Sequence, residues 1–240
     1  MRGIKFAAIV VLSSLFAFLI VPAFLVPTYA STTTDLTVAN GATVCPDTLG
    51  GVWEPGNNCQ LTTSYTINSG DTLIVDTGVA LEIGSGGTLT VSGTLNIVQL
   101  VVVSGGGVLD VASGGVINNH NGIDVYGVLN NYGTINNDTA GIYIGLYATY
   151  AGTLNNYGVI NQVSVAGFAK ITITDGGVLN EECGGEINNP PPGVIDGEVT
   201  QIACPGVPEF SGPTAMWLVL IAGMAVPLLI VRKRSTRLPI

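Results

Sequence analysis

Basic residues are almost missing from the middle of this chain. Between Ser31 and Gly212 there is one, Lys170, against all sixteen Asp and Glu, a formal charge of −15 for that stretch. Phosphate backbones are bound by clustered Lys and Arg, so nucleic acid is excluded as a partner. Solubility and self-repulsion account for the acidity. His120 is the only histidine and lies far in sequence from every cysteine, so no zinc-ligand spacing exists. Glycine runs such as Ser104–Gly107 are not followed by Lys-Ser/Thr, which excludes a phosphate-cradling loop. No 3.6-residue periodicity is present, and Gly, Asn, Thr and Val are dense, which excludes an α-solenoid. Thr88, Thr90, Thr94, Thr134 and Thr153 are too irregular for a flat ice-binding array.

What is present is repetition. From about Thr66 to Asn189 the chain reads GTLTVSGTLNI, GVLDVASGGVINN, GVLNNYGTINN, GTLNNYGVINQ and GGVLNEECGGEINN. Self-similarity at this spacing is the mark of a solenoid. A first apolar series runs Leu89, Leu109, Leu129, Leu154, Leu179. A second runs Leu95, Ile117, Ile135, Ile160, Ile187. A third runs Val102, Ile123, Ile142, Ile171, Ile195. Three apolar points in each period of 20–25 residues describe one turn of a three-sided coil. Period-2 alternation around each point directs its side chain inward. Gly107, Gly127, Gly133, Gly152, Gly158 and Gly177 precede these segments and supply the positive φ or tight corner between faces. The fold class expected is all-β: a single-stranded, right-handed parallel β-helix, the hand taken from the commoner case.

Asparagine strengthens this reading. Asp110, Asn130, Asn155 and Asn180 follow the first series, and Asn96, Asn118, Asn136, Asn161 and Asn188 follow the second. Coils about 4.8 Å apart place these amides in hydrogen-bonded ladders. Tyr132 and Tyr157 recur at the coil period and should stack on one corner. Tyr143, Tyr147 and Tyr150 are the better candidates for a carbohydrate- or protein-binding surface, because the insertion around Tyr147–Ala151 should protrude.

Both termini read as addresses. Met1–Lys5 is basic, Phe6–Leu25 is apolar, and a small-residue cleavage site follows Ala30, so residues 1–30 are expected to form a signal peptide. An apolar segment over 214–231 is long enough to cross a bilayer as a helix. Arg232, Lys233 and Arg234 then hold the basic tail, 232–240, inside by the positive-inside rule, leaving the body outside. Residues 31–64 form a lead-in, with one strand in Ser31–Asn40, and a cap. Residues 65–200 form the β-helix, roughly 25–30 Å long at the sheet spacing. Residues 201–213 form a proline-bearing stalk.

Four cysteines allow three pairings. Cys45–Cys59 and Cys183–Cys204 are favoured, because the two pairs sit at opposite ends of the rod and the exported side is oxidising. Each closed loop would cap an open sheet edge, the first holding Trp53 over the opening coil.

Pro208-Glu209-Phe210, ahead of the apolar segment and Arg232-Lys233-Arg234, resembles the PEF-CTERM sorting signal of archaeal surface proteins. The resemblance covers about the last thirty residues. Ser211 separates the motif from Gly212, a departure from the PEFG form. It implies a membrane partner and an archaeosortase that exchanges the tail for a lipid. Asn137-Asp138-Thr139 is an N-glycosylation acceptor sequence.

The expected function is a non-catalytic, structural or adhesin-like protein of the archaeal-type envelope, without a cofactor and with a carbohydrate or surface-protein ligand. The alternative is a carbohydrate-active β-helix enzyme, a lyase or hydrolase. A lyase needs a base beside calcium-holding carboxylates, and a hydrolase needs carboxylates paired on one face. Asp71, Asp76, Glu82, Asp110, Asp124, Asp138, Asp175, Glu181, Glu182 and Glu186 are scattered. Asp124 with Asp138 is the candidate catalytic pair. Glu181, Glu182 and Glu186 are a candidate calcium group, with a solvated acidic end as the plainer reading.

Overall fold

The computed structural model describes residues 30–138, 141–145, 151–163, 169–174, 176–189 and 194–203. The expected signal segment beyond Ala30, the PEF motif, the apolar span, the basic tail, Cys204, Tyr147 and Tyr150 lie outside these residues. Among the described residues no helix is long and apolar enough to cross a membrane.

Short strands, nearly all of four residues, alternate with corners and stack into three sheets of seven, seven and eight strands, parallel except for one antiparallel edge strand in the third. One coil contributes one strand to each. Val128–Asn131 lies on the first face, Thr134–Asn137 on the second and Gly141–Ile144 on the third. About six such coils follow one another, so the fold is a parallel β-solenoid, as the repeats require. The lead-in strand Thr33–Leu36 joins the second face beside Thr72–Val75.

In most strands the second and fourth residues point inward, where they are buried, and the first and third face out. Leu89, Leu109, Leu129, Leu154 and Leu179 are register partners on the first face, all 0 % exposed. Leu95, Ile117, Ile135, Ile160 and Ile187 are register partners on the second, the first four fully buried and Ile187 partly. Burying each such side chain contributes about 1.5–3 kcal/mol. The third series needs one correction. Ile123 stands on Val101, not Val102, and Val102 faces out beside Asp124. Leu100–Val103 is an unbroken apolar strand, so alternation gives no register within it.

The corners explain the unequal periods. From first to second face the chain turns in two residues at Ser92-Gly93, Tyr132-Gly133 and Tyr157-Gly158, but in four at Ala112–Gly115 and Glu182–Gly185. The six glycines singled out in the sequence do not adopt positive φ; Gly86, Gly106, Gly114, Gly176 and Gly184 do. Close approach constrains the six instead. A Cβ on Gly133 would sit 2.3 Å from the Gly115 carbonyl oxygen, and one on Gly158 2.2 Å from that of Gly133.

The N-terminal end carries a short helix, α1 (Gly41–Asp47), absent from the all-β expectation. Asn40 sets its entry: its side chain accepts from the Thr37 N–H at 2.8 Å and donates to the Asp35 carbonyl at 2.8 Å. The antiparallel hairpin Val52–Glu54 with Asn58–Leu61 follows. Cys45–Cys59 ties helix to hairpin, with both cysteines fully buried. Trp53 packs against Gly41, where any Cβ would lie 2.0 Å from the ring. Tryptophan, disulfide and Leu49 together close the first coil, as the cysteine spacing suggested. Cys183 is also disulfide-bonded, and its favoured partner lies beyond the described residues.

Gly133→Ala should destabilise the rod by about 1–3 kcal/mol in urea unfolding, by forcing adjacent coils apart. Gly105→Ala, whose Cβ would find its nearest neighbour at 4.0 Å, should change stability by less than about 0.5 kcal/mol.

Candidate functional site

The outward asparagines form the expected ladders. On the first face Asn130 donates to Asp110 at 2.8 Å, Asn155 to Asn130 at 2.9 Å and Asn180 to Asn155 at 2.8 Å. On the second face Asn118 donates to Asn96, Asn136 to Asn118, Asn161 to Asn136 and Asn188 to Asn161, at 2.8–3.0 Å. Each amide uses one donor and one acceptor within the column. Asp110 is thereby committed as a terminal acceptor.

A second set of ladders runs inside the coil and was not anticipated from the sequence. Asn119, Asn131, Asn137, Asn156 and Gln162 occupy inward fourth positions and are 0–1 % exposed. Asn119 donates to Asn137 at 2.7 Å, Asn137 to Gln162 at 2.9 Å and Asn131 to Asn156 at 2.8 Å. The same amides reach the first carbonyl of a strand in the next coil: Gly141 from Asn119, Val159 from Asn131, Val194 from Gln162. The inner amides donate towards the C-terminal coils and the outer ones towards the N-terminal coils. Strict period-2 alternation would have placed the second Asn of each Asn-Asn pair inside.

Asn137 is therefore not a turn residue. It ends the strand Thr134–Asn137, and its amide is locked between Asn119 and Gln162. A glycan on this nitrogen is incompatible with the folded coil, so the acceptor motif is corrected to an inner-ladder rung.

Tyr132 and Tyr157 stack as expected, with ring centroids 4.6 Å apart and planes 9° apart. They remain 48 % and 37 % exposed, on the first-to-second corner. Partial desolvation, then Glu182 and Tyr132 beside it, push the Tyr157 hydroxyl pKa up. Tyr143 departs from expectation: it lies within the strand Gly141–Ile144, half-buried, not on a protruding insertion.

The carboxylates do not gather. Asp138 meets His120, Oδ2 to Nδ1 at 3.6 Å, while Asp124 stands on the third face with a hydrogen bond from Tyr126. Lys170 pairs with Asp196 at 3.0 Å on the surface, a contact worth little in water. Among the described residues no three His, Cys, Asp or Glu side chains are grouped to hold a metal, the set Glu181, Glu182, Glu186 included. At the N-terminal end a hollow of about 480 Å³ is lined by Thr32, Asn68, Ser69 and Asp71. The Asp71 carboxylate is already held by the hydroxyl and N–H of Thr32 at 2.7 and 2.8 Å.

Two third-face carboxylates have opposed environments. Burial would raise the pKa of Glu82, but hydrogen bonds from Ser104, Asn58 and Gln60 outweigh it and hold the pKa low. Asp124 is pushed up by burial, with the Tyr126 bond opposing.

The chain matches no protein family, no curated protein and no solved structure.

Two outcomes test this geometry. Asn137→Leu should cost about 2–4 kcal/mol in urea unfolding, because it strands the Asn119 donor and the Gln162 acceptor in a dry interior. Asn136→Ala, one residue away but facing water, should cost less than about 1 kcal/mol. The second outcome concerns pH. A raised Asp124 pKa contributes stability below the unfolded value that is lost as pH rises through the folded one. Asp124→Asn should therefore raise the melting temperature at pH ~7 and match the wild type near pH ~3, by calorimetry.

Proposed function

We propose that this protein is an exported surface rod of an archaeal-type envelope that works by contact, not catalysis. One observation carries the reading. From Thr72 to Asn161 the outward positions of the second face bear no charged side chain, although the body is strongly acidic. The first face from Ser64 to Asn180 bears only Asp110, which its ladder consumes. Over these spans the second face is thus uncharged, the first carries a single carboxylate, and both are periodic. Such surfaces suit repetitive binding or lateral packing; acid–base chemistry requires convergent groups of unlike environment.

The finer features belong to this proposal. The coil winds right-handed. Residues 1–30 export the chain, and 214–231 hold it until an archaeosortase acting at Pro208-Glu209-Phe210 exchanges the tail for a lipid. Cys183–Cys204 closes the C-terminal end. The resemblance of the tail to PEF-CTERM signals supports the anchoring, and the sixteen-to-one excess of acidic over basic residues between Ser31 and Gly212 supports a solvated exterior setting.

Protease treatment of intact cells that carry the full chain tests the proposal. The expected result is release of the solenoid body into the medium and loss of cell attachment to surfaces. A body protected inside the cell, or attachment unchanged after complete release, overturns it. Intact mass of the membrane-bound form adds the anchor: a mass ending near Pro208 with a lipid-sized adduct supports exchange, and one running through Ile240 leaves a plain membrane span.

A further inference from the structure

The outward columns of the third face lack the ladders that the other two faces carry. Its outward third positions run Gln60, Glu82, Val102, Asp124, Tyr143, Thr172, Asp196, with no two neighbours alike. Its outward first positions include two glycines in adjacent strands, Gly122 and Gly141, which are register partners. Both point outward and both are buried. The Tyr143 ring covers one: a Cβ on Gly141 would lie 2.3 Å from its Cε2. Leu100 reaches the other, with Cδ1 3.2 Å from a Cβ on Gly122. The glycines let an aromatic ring and a leucine lie down against the sheet, where larger residues would lift them off.

Between these apolar groups stands Asp124, with Val102 on one side and Tyr143 on the other, at steps of about 4.8 Å. Among the described residues no Lys, Arg or His pairs with this carboxylate. Column packing does not require it, since an amide here would join a ladder as elsewhere. A methyl-sized apolar patch, a carboxylate that accepts one bond from Tyr126 and keeps further lone pairs, and an aromatic ring, in that order along the axis, match one ligand chemistry. We propose that this part of the third face binds a 2-acetamido sugar of an N-acetylated glycan. The sugar's C–H face lies on Tyr143, its acetamido N–H donates to Asp124, and its methyl rests on Val102 and Leu100.

Competing occupants fit less well. An amino sugar pairs its ammonium with Asp124 but leaves Leu100 and Val102 uncovered. A plain hexose has no methyl for that patch. The body of a second copy, Ser31 to Gly212, brings many carboxylates and one basic residue, Lys170, already paired with Asp196. The inference rests on the adhesive reading above and gives it a ligand.

The full chain in detergent, titrated with a tetramer of N-acetylglucosamine by calorimetry, tests it. The tetramers of glucosamine and of glucose serve as comparisons. Binding is expected for the acetylated tetramer, at least roughly tenfold tighter than for either comparison. Tyr143→Leu keeps an apolar cover over Gly141 while removing the ring, and should weaken binding roughly tenfold. Asp124→Asn should weaken it several-fold, and Tyr132→Ala should leave it unchanged. Thermal melts of each variant separate lost binding from lost folding. No binding by the wild type, equal affinity for the three tetramers, or wild-type affinity in a folded Tyr143→Leu variant overturns the assignment. If binding fails while protease-sensitive attachment persists, the rod is adhesive through another ligand. If binding holds while attachment is absent, the site stands and the adhesive role falls.

Discussion

Each strand residue of the coil stands directly on its counterpart one turn earlier, at about 4.8 Å. The rest of the molecule obeys that constraint. Residue types survive in a column when they tolerate their own kind. Leucine on leucine buries area, amide on amide pairs donor with acceptor, and tyrosine on tyrosine stacks. Carboxylate on carboxylate repels, and although sixteen acidic residues are present, no two are register partners in the described strands. Acidity is carried at corners, at ends and beside neutral neighbours such as Asn130 or Val102. A chain can thus be strongly negative overall and still present neutral faces.

A stack of identical layers has no intrinsic reason to stop, and its first layer leaves strand edges open. The N-terminal end meets this with parts that do not repeat: α1, an antiparallel hairpin, Trp53 over Gly41 and the buried Cys45–Cys59 bridge. The inner amide ladders have an end of their own. Asn119 begins one against Ile97, which has no amide to offer, and its Oδ1 has no hydrogen-bond partner among the described residues. Asn131 begins the other against Val111, but its Oδ1 accepts the Gly133 N–H at 3.2 Å. Converting an aliphatic column to an amide column thus leaves an unsatisfied group at the Asn119 junction, offset by the contacts along the ladder, and none at the Asn131 junction, where the corner supplies a donor.

The fold was legible because the columns are written into the sequence. Leu129 followed by Asn130 recurs as Leu154 followed by Asn155, and corners of different length do not disturb the pairing. Misreadings occurred where local pattern and stacking carry different information. In Leu100–Val103 every residue is apolar, so Val102 and Val101 are indistinguishable without the neighbouring coil. Asn137 matches a glycosylation motif, but a three-residue motif is blind to which face its asparagine takes. In GATVCPD a proline and a β-branched residue give no helical signal, and tertiary closure with Trp53 and Cys59 imposes the turn. Gly133 and Gly158 look like residues selected for positive φ. The nearness of a carbonyl in the preceding coil, which only stacking reveals, is the actual reason.

Column logic also indicates where to look for function. At a position that repeats its neighbour, self-association along the axis is sufficient explanation for the residue. A position that differs from both neighbours contributes no ladder and no stack, and needs another explanation. On the first and second faces such positions are few. On the third face they are consecutive at Val102, Asp124 and Tyr143, beside the glycine pair Gly122 and Gly141. Glycine weakens a strand, and the Asp124 carboxylate beside Val102 is partly desolvated with no cation paired to it among the described residues. A face that spends stability at three adjoining positions, on a rod that is otherwise economical, has the chemistry of a site shaped for something outside the coil.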